Sequence, residues 1–315
     1  MLRPASVAEM SADWPAFSYE DWSATADTVH AHAQVLGKVA LALAPPEPQL
    51  QHSALRLSAR GIETALLPAP DGSGAVAVVL DLRAHEALIE HSDGRAERVR
   101  LTPNRAVGEV TRNVLDAIRR LGGDVQINPT PQEVDWSIPL DRDHEHRRYD
   151  PVQVGAYFTA ATQAAIVLAE VRAAYRGRKT PVNAWWGSFD LAVSFFSGRS
   201  AAPPSAAFIP RNSMDAEEIA IGWWPGDSRH RSAAFYAYAY PAREGFAEGT
   251  LEPDIARWDG VLGEFILEWD DLLRTRNPRQ AAVDFAFSAF RHACASCEWD
   301  EALAATAEGT PPPVA

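Results

Sequence analysis

Cysteine is scarce: Cys294 and Cys297 are the only two in 315 residues. A disulfide framework is therefore excluded, and a reducing, cytoplasmic setting is expected. Their lone Cys-x-x-Cys lacks the second pair that a zinc ribbon needs. It also closes a predicted helix, whereas thioredoxin-type sites open one, so two small packed side chains are the better reading. Lysine is equally rare, with Lys38 and Lys179 alone among 29 basic residues. The arginines are scattered along the chain, which points to compositional bias rather than to an arginine-built surface. No apolar stretch of signal-peptide length opens the sequence, and no apolar run approaches a membrane span, so no membrane partner is expected. Phosphate-loop, dinucleotide-binding and Gly-x-Ser-x-Gly motifs are missing too, and Ser188 is not a recognisable hydrolase nucleophile.

What is present is an ordinary globular balance, 47% hydrophobic and 23% charged, in 34.3 kDa. That length suits two lobes, each with its own core. The net charge of −13 disfavours phosphate backbones, so no nucleic-acid partner is expected. Apolar residues from Trp22 to Ala40 recur at helical spacing within Tyr19 to Ala44, and Pro45-Pro46 stops them. Strands are predicted at His52–Ala59, Gly61–Leu67, Ala75–Leu82, Leu88–His91 and Arg98–Leu101, with Gly-containing turns between them. A helix from Asn104 to Leu121 and a short strand at Val125–Ile127 follow. The second half repeats the order: a helix over Val152 to Tyr175, a long strand or strand pair over Val182–Phe196, strands at Ile219–Trp224, Ala233–Tyr240 and Gly263–Leu267, and a helix over Pro278 to Cys294.

The fold class is therefore α+β, in two lobes that each read helix, antiparallel sheet, helix. The expected organisation is an N-terminal arm at 1–17, a first lobe at 18–134, a polar linker at 135–150, a second lobe at 151–300 and a disordered tail at 301–315. Helix endings read at Gly37-Lys38 and Gly177-Arg178-Lys179, with the similar Ser58-Ala59-Arg60-Gly61 and Ser197-Gly198-Arg199, raise an internal duplication as a hypothesis. A cleft between the lobes is then the expected ligand site.

Several strings are distinctive: Trp185 to Ala192, Phe196 to Arg199, Gly222 to Gly226, Ala234 to Pro241 and Leu262 to Leu267 in the second half. In the first half come Trp14-Pro15, Gln34 to Lys38 and Ala59-Arg60-Gly61. In this order, from about Trp14 to Trp299, they resemble the bacterial domain-of-unknown-function family 5996. The resemblance implies a stand-alone cytoplasmic protein and carries no activity with it. It also implies histidines where this chain has Gln49, Asn183 and Ala216, and two tryptophans where it has Leu50-Gln51.

Aromatic residues cluster on the later strands. Alternation places Tyr236, Tyr238 and Tyr240 on one sheet face, either as packing or as the wall of a pocket. It likewise places Asp190 with Trp186 and Ser188, a carboxylate among rings that must be paired with an arginine such as Arg199 or Arg60, or else serve as a base. Glu264 is a similar, weaker case. His30 and Gln34 share a face of the first helix, while His32 lies on another. The leading reading is a small-molecule-binding protein, with enzyme activity left open. Asp190 and His30 are its catalytic candidates, and Gln34, Trp186, Ser188, Tyr238 and Glu264 its ligand contacts. A scaffold whose aromatic faces hold the lobes together or form a homo-oligomer is the first alternative. A histidine–carboxylate metalloenzyme is the second, with His52, Asp143 and His146 as ligand candidates and no cofactor specified.

Overall fold

A computed structural model describes residues 14–302 apart from residue 17. Most of the predicted arm, and the tail beyond 302, lie outside the described residues. The chain forms two compact units. The first comprises Tyr19–Phe158 and Asn183–Asp190; the second comprises Thr159–Val182 and the described residues from Leu191 on and before Tyr19.

In the first unit, helix α1 spans Tyr19–Leu43 and leads through a 3-10 turn at Pro48–Ser53 into short strands. These are β1 (Arg56–Leu57), β2 (Gly61–Glu63), β3 (Leu67–Pro68), β4 (Ala75–Asp81), β5 (Glu86–His91) and β6 (Ala96–Arg100). They pair antiparallel in the order β1-β2-β4-β5-β6, with β3 also on β4. The turn before β4 is closed by Asp71, whose carboxylate accepts the Ser73 N–H at 2.8 Å, beside Gly72 at φ 74°. Register pairs Val78 with Ile89 and Leu80 with Ala87, and places both pairs with Val76 and Val99 on one buried face. Helix α2 (Val107–Gly122) turns Val110, Val114, Ile118 and Leu121 inward and packs on β4, β5 and β6, while α1 packs on β3 and β4.

Residues 135–150, read from the sequence as a linker, lie inside this unit. Leu140, Asp143 and Tyr149 are buried, and the carbonyls of Asp143, His146 and Arg147 accept N–H groups from Gly108, Val107 and Asn104 at 2.8–2.9 Å. The polar run thus serves the orphan donors at the start of α2, which is why it shows no period of its own. Val125–Ile127 is irregular rather than a strand.

Helix α3 (Pro151–Ala174) crosses the division between units at Phe158. By length and a mean hydropathy of 1.4 it could cross a membrane. Val154, Phe158, Ala161, Ala164, Val167, Leu168 and Val171 are nonetheless buried, as in a core helix. The strand predicted at Val182–Phe196 is a pair, β7 (Asn183–Trp185) and β8 (Asp190–Ser200). The second unit continues with α4 (Phe208–Ser213), β9 (Ala216–Trp224), β10 (Ala234–Tyr240), β11 (Arg257–Asp259), β12 (Glu264–Glu268), α5 (Trp269–Leu273) and α6 (Pro278–Ser296). Its antiparallel sheet runs β11-β12-β10-β9-β8, and α6 packs on β9, β10 and β12. Phe195 meets Phe290 edge to face at 5.1 Å, and Trp14 stacks on Trp269 at 5.0 Å.

The α+β class holds for both units. The duplication does not gain support, because the first sheet runs β1-β2-β4-β5-β6 with β3 also on β4, whereas β11 and β12 exchange places at the edge of the second. Moreover α1 runs straight through Gly37-Lys38 to Leu43, so the matched helix ending is absent there.

Candidate functional site

The first unit contains a column of stacked rings. Trp22 stacks on Tyr157 at 5.0 Å, Tyr157 on Phe189 at 5.2 Å and Phe189 on His30 at 4.8 Å, with interplanar angles of 22°, 19° and 12°. Trp136 then meets His30 edge-on at 5.1 Å and lies 4.4 Å from the His146 ring. Phe189 reaches this place because the chain between β7 and β8 is a turn, closed by Phe189 N–H to the Trp185 carbonyl at 2.9 Å, with Phe189 at φ 62°. A left-handed backbone at a bulky residue is costly and is held by its surroundings.

That turn corrects the alternation argument. Trp186 is buried, Ser188 is exposed and Asp190 is buried, so the three do not form one strand face. The Ser188 hydroxyl donates to Asp190 instead. Of the two arginines offered as its partner, Arg199 pairs with Glu217 and Arg60 is exposed. Tyr157 lies close enough that the Asp190 charge adds to burial in pushing its phenol up.

His30 Nε2 lies 3.0 Å from the carbonyls of both Trp186 and Gly187, so that nitrogen carries the donated proton. Gln34 clasps the backbone of Gln132, donating to its carbonyl and accepting its N–H, both at 2.9 Å. Its amide is thereby committed to structure. His30, Gln34, Trp186, Ser188 and Asp190 all belong to the first unit, whereas Tyr238 and Glu264 belong to the second.

Polar chemistry concentrates beyond the column. Asp143 accepts the N–H groups of Glu145 and His146 on Oδ1, at 2.9 and 3.0 Å, and the His146 ring on Oδ2 at 2.6 Å. The Asp143 side chain is 1% exposed and that of His146 17%. Burial alone would raise Asp143, but these hydrogen bonds hold it below the usual carboxylate value. Burial lowers His146, and the bond and charge of Asp143 more than restore it, so the imidazole titrates above its ordinary range. His146 donates through Nδ1, which leaves Nε2 without a hydrogen bond among the described residues. His32 lies nearby: burial lowers it to about 4, against the pull of Asp143, and its buried Nδ1 has no partner among the described residues. His52 is elsewhere, accepting the Glu47 N–H at 3.0 Å in the 3-10 turn. Among the described residues, no group of three or more histidines, cysteines or carboxylates is placed to hold a metal ion.

The model of a family of unknown function, DUF5996, matches residues 14–306. The chain belongs to this family. No curated protein and no solved structure matches it. In this DUF5996 chain the positions where the resemblance implies other residues fall into two places. Gln49, Leu50 and Gln51 lie in the 3-10 turn, with Gln49 and Leu50 at φ 52° and 54°, and the Asn183 amide donates to Gln51 at 3.0 Å. Ala216 stands opposite Ser200 in the second unit.

The second unit of the DUF5996 fold buries two adjacent carboxylates on opposite faces of β9, which sequence reading missed. Glu217 is held by Ser197 and by Arg199 at 2.5 Å. Glu218 accepts the Tyr238 hydroxyl at 3.4 Å, and burial raises it to about 7. A strand-length apolar run directly preceded by Glu-Glu was the available signal, since alternation forces one of two neighbours inward. Tyr236 and Tyr238 do share a face, their rings nearly parallel at 6.2 Å.

Proposed function

We propose that this DUF5996 protein binds a small molecule in its first unit and moves a proton on it. His146 is the base, Asp143 the carboxylate that orients it, and the ring column ending in His30 and Trp136 the apolar surface beside it. The observation that carries this reading is the 2.6 Å Asp143–His146 bond between a sealed carboxylate and a partly open imidazole. Such a bond fixes the tautomer, concentrates basicity on Nε2 and raises the proton affinity of the imidazole, as a general base requires. Neutral His32 adds a second nitrogen able to accept a hydrogen bond. Asp190 and His30, the first candidates from sequence, become supports of the ring surface, and Tyr238 and Glu264 have no part in this site.

A reducing, cytoplasmic setting fits the reading, since Cys294 and Cys297 are free and buried, and the acidic chain is an unsuitable partner for nucleic acid. The test is a thermal-shift screen of small carboxylic acids, phenols and carbonyl compounds against the wild type and His146→Gln. The expected result is a compound that raises the wild-type midpoint and leaves that of the variant unmoved. Equal shifts in both proteins, or none in either, would reject the assignment and favour a scaffold.

A further inference from the structure

Helix α2 buries Val110, Val114, Ile118 and Leu121, which leaves Leu115, Asp116 and Arg119 less covered on its other side. The irregular chain that follows α2 returns along that side. The Pro129 carbonyl accepts the Leu140 N–H at 2.9 Å, and the Asp141 carbonyl accepts a guanidinium N–H of Arg112, so the two segments are tied together and to the helix. Among them lies a cleft of about 190 Å³. Leu115 from the helix and Val125, Ile127 and Pro129 from the returning chain give it apolar walls. His30, His32, Trp136, Asp143 and His146 do not border it, so it is a separate place from the site proposed above.

The polar groups of the cleft are not equally committed. Asp116 holds the Arg119 guanidinium at 2.6 Å, and Asp124 accepts the Gln126 amide at 2.7 Å. The lining cation is therefore already answered by a carboxylate of its own helix. Asp141 differs. Its Oδ1 is buried and has no hydrogen-bond partner among the described residues. The residue as a whole is only part-buried and borders the cleft, so with Oδ1 covered it is Oδ2 that this carboxylate can offer there. A carboxylate with one oxygen taken from water and no donor supplied is an incomplete acceptor, and a cation at its open edge restores what burial removed.

Three carboxylates beside one occupied guanidinium disfavour an anion. A divalent metal ion is disfavoured as well, since among the described residues no three histidine, cysteine or carboxylate ligands are assembled. We propose that this cleft binds a small aliphatic primary amine, its ammonium on Asp141 and its hydrocarbon stem along Leu115, Val125, Ile127 and Pro129. An ammonium presents three donors to the carboxylate and keeps its charge at neutral pH. Each methylene laid on the walls leaves water, so affinity rises with chain length until the cleft is filled. The net charge of −13 draws such cations toward the chain. The inference does not depend on the His146 dyad.

Calorimetric titration of the full-length protein with n-pentylamine and with ethylamine at neutral pH tests this. The wild type should bind pentylammonium more tightly than ethylammonium. Asp141→Asn, which keeps the shape and the backbone bond to Arg112, should weaken pentylammonium binding about tenfold or more, as loss of a charged hydrogen-bond partner does. Leu115→Trp, which fills the cleft without altering a charge, should weaken it too. Absence of pentylammonium binding to the wild type, or equal affinity for the two amines, would overturn the proposal, the latter because it would show only a counterion on an acidic surface. Equal affinity of wild type and Asp141→Asn would overturn it as well. Should Asp141→Asn fail to fold, Leu115→Trp decides: undiminished binding refutes the cleft and lost binding upholds it.

Discussion

In the first unit burial brings two bases down, His32 to about 4 and Lys38 to about 8. In the second unit the counterpart is an acid, Glu218, raised to about 7. One physical effect, the poor solvation of a charge among apolar atoms, lowers bases in one region and raises a carboxyl in the other. Where a partner of opposite charge is close, as for Asp143 with His146, the effect is reversed. The lesson is that partner placement, more than depth, decides which form survives.

The sharpest way to break this contrast is to remove the Trp186 ring, whose centroid lies 5.2 Å from the Lys38 ammonium. Trp186→Ala empties the space between Gly37 and Ser53 and should cost about 3–5 kcal/mol in urea unfolding. A loss below about 1 kcal/mol would mean that the ring is not part of the core.

Next in size is a pair of glycine substitutions, one in each unit. A methyl on Gly37 meets the root of the Trp186 ring, Cγ and Cδ1, at 2.0 and 2.1 Å, whereas one on Gly222 meets the tip of Tyr236 at 2.4 Å. A tip can swing aside and a root cannot. Gly37→Ala should therefore cost about 3 kcal/mol and Gly222→Ala about 1 kcal/mol, as overpacking scales with what can give way. Reversal of that order in thermal unfolding would contradict the packing described.

Smallest, but most diagnostic, are opposite pH slopes. His32 is lowered from 6.5 to about 4, so its contribution is present above 6.5 and lost as pH falls through about 4. Glu218 is raised from 4.5 to about 7, so its contribution is present below 4.5 and lost as pH rises through about 7. His32→Gln should flatten the acid-side decline in stability, and Glu218→Gln should flatten the decline between 4.5 and 7. Unchanged slopes in either variant would show that the residue is solvated.

Much of this architecture was legible in the amino-acid order. Helix α1 announces itself by period and by the Pro45-Pro46 that stops it, β4 by its apolar run after a Gly-containing turn, and α2 by period and by the glycines that end it. What stayed hidden has specific causes. The Asp143–His146 pair was visible as a spacing but read as a metal-ligand candidate in a linker, because its partners are backbone groups of α2. Alternation failed from Trp186 to Asp190 because Phe189 adopts a left-handed backbone, which no side-chain pattern marks. His32 was set aside for facing away from His30, although it turns toward Asp143 instead. Lys38 looked like a detail of composition, since sequence does not reveal that its ammonium meets a ring and no carboxylate.

The first unit is not contiguous in the chain: residues 183–190 return to it after the segment from Thr159 to Val182 has been assigned to the other. During synthesis, then, α1 leaves the ribosome long before the residues that cover His30 and Lys38 exist. A nascent chain stalled after Phe158 carries those side chains with neither Phe189 nor Trp186 to shield them. The amino-terminal portion therefore cannot mature ahead of the rest, and a gene fragment cut at that point would make a product for chaperones and proteases rather than a free-standing module.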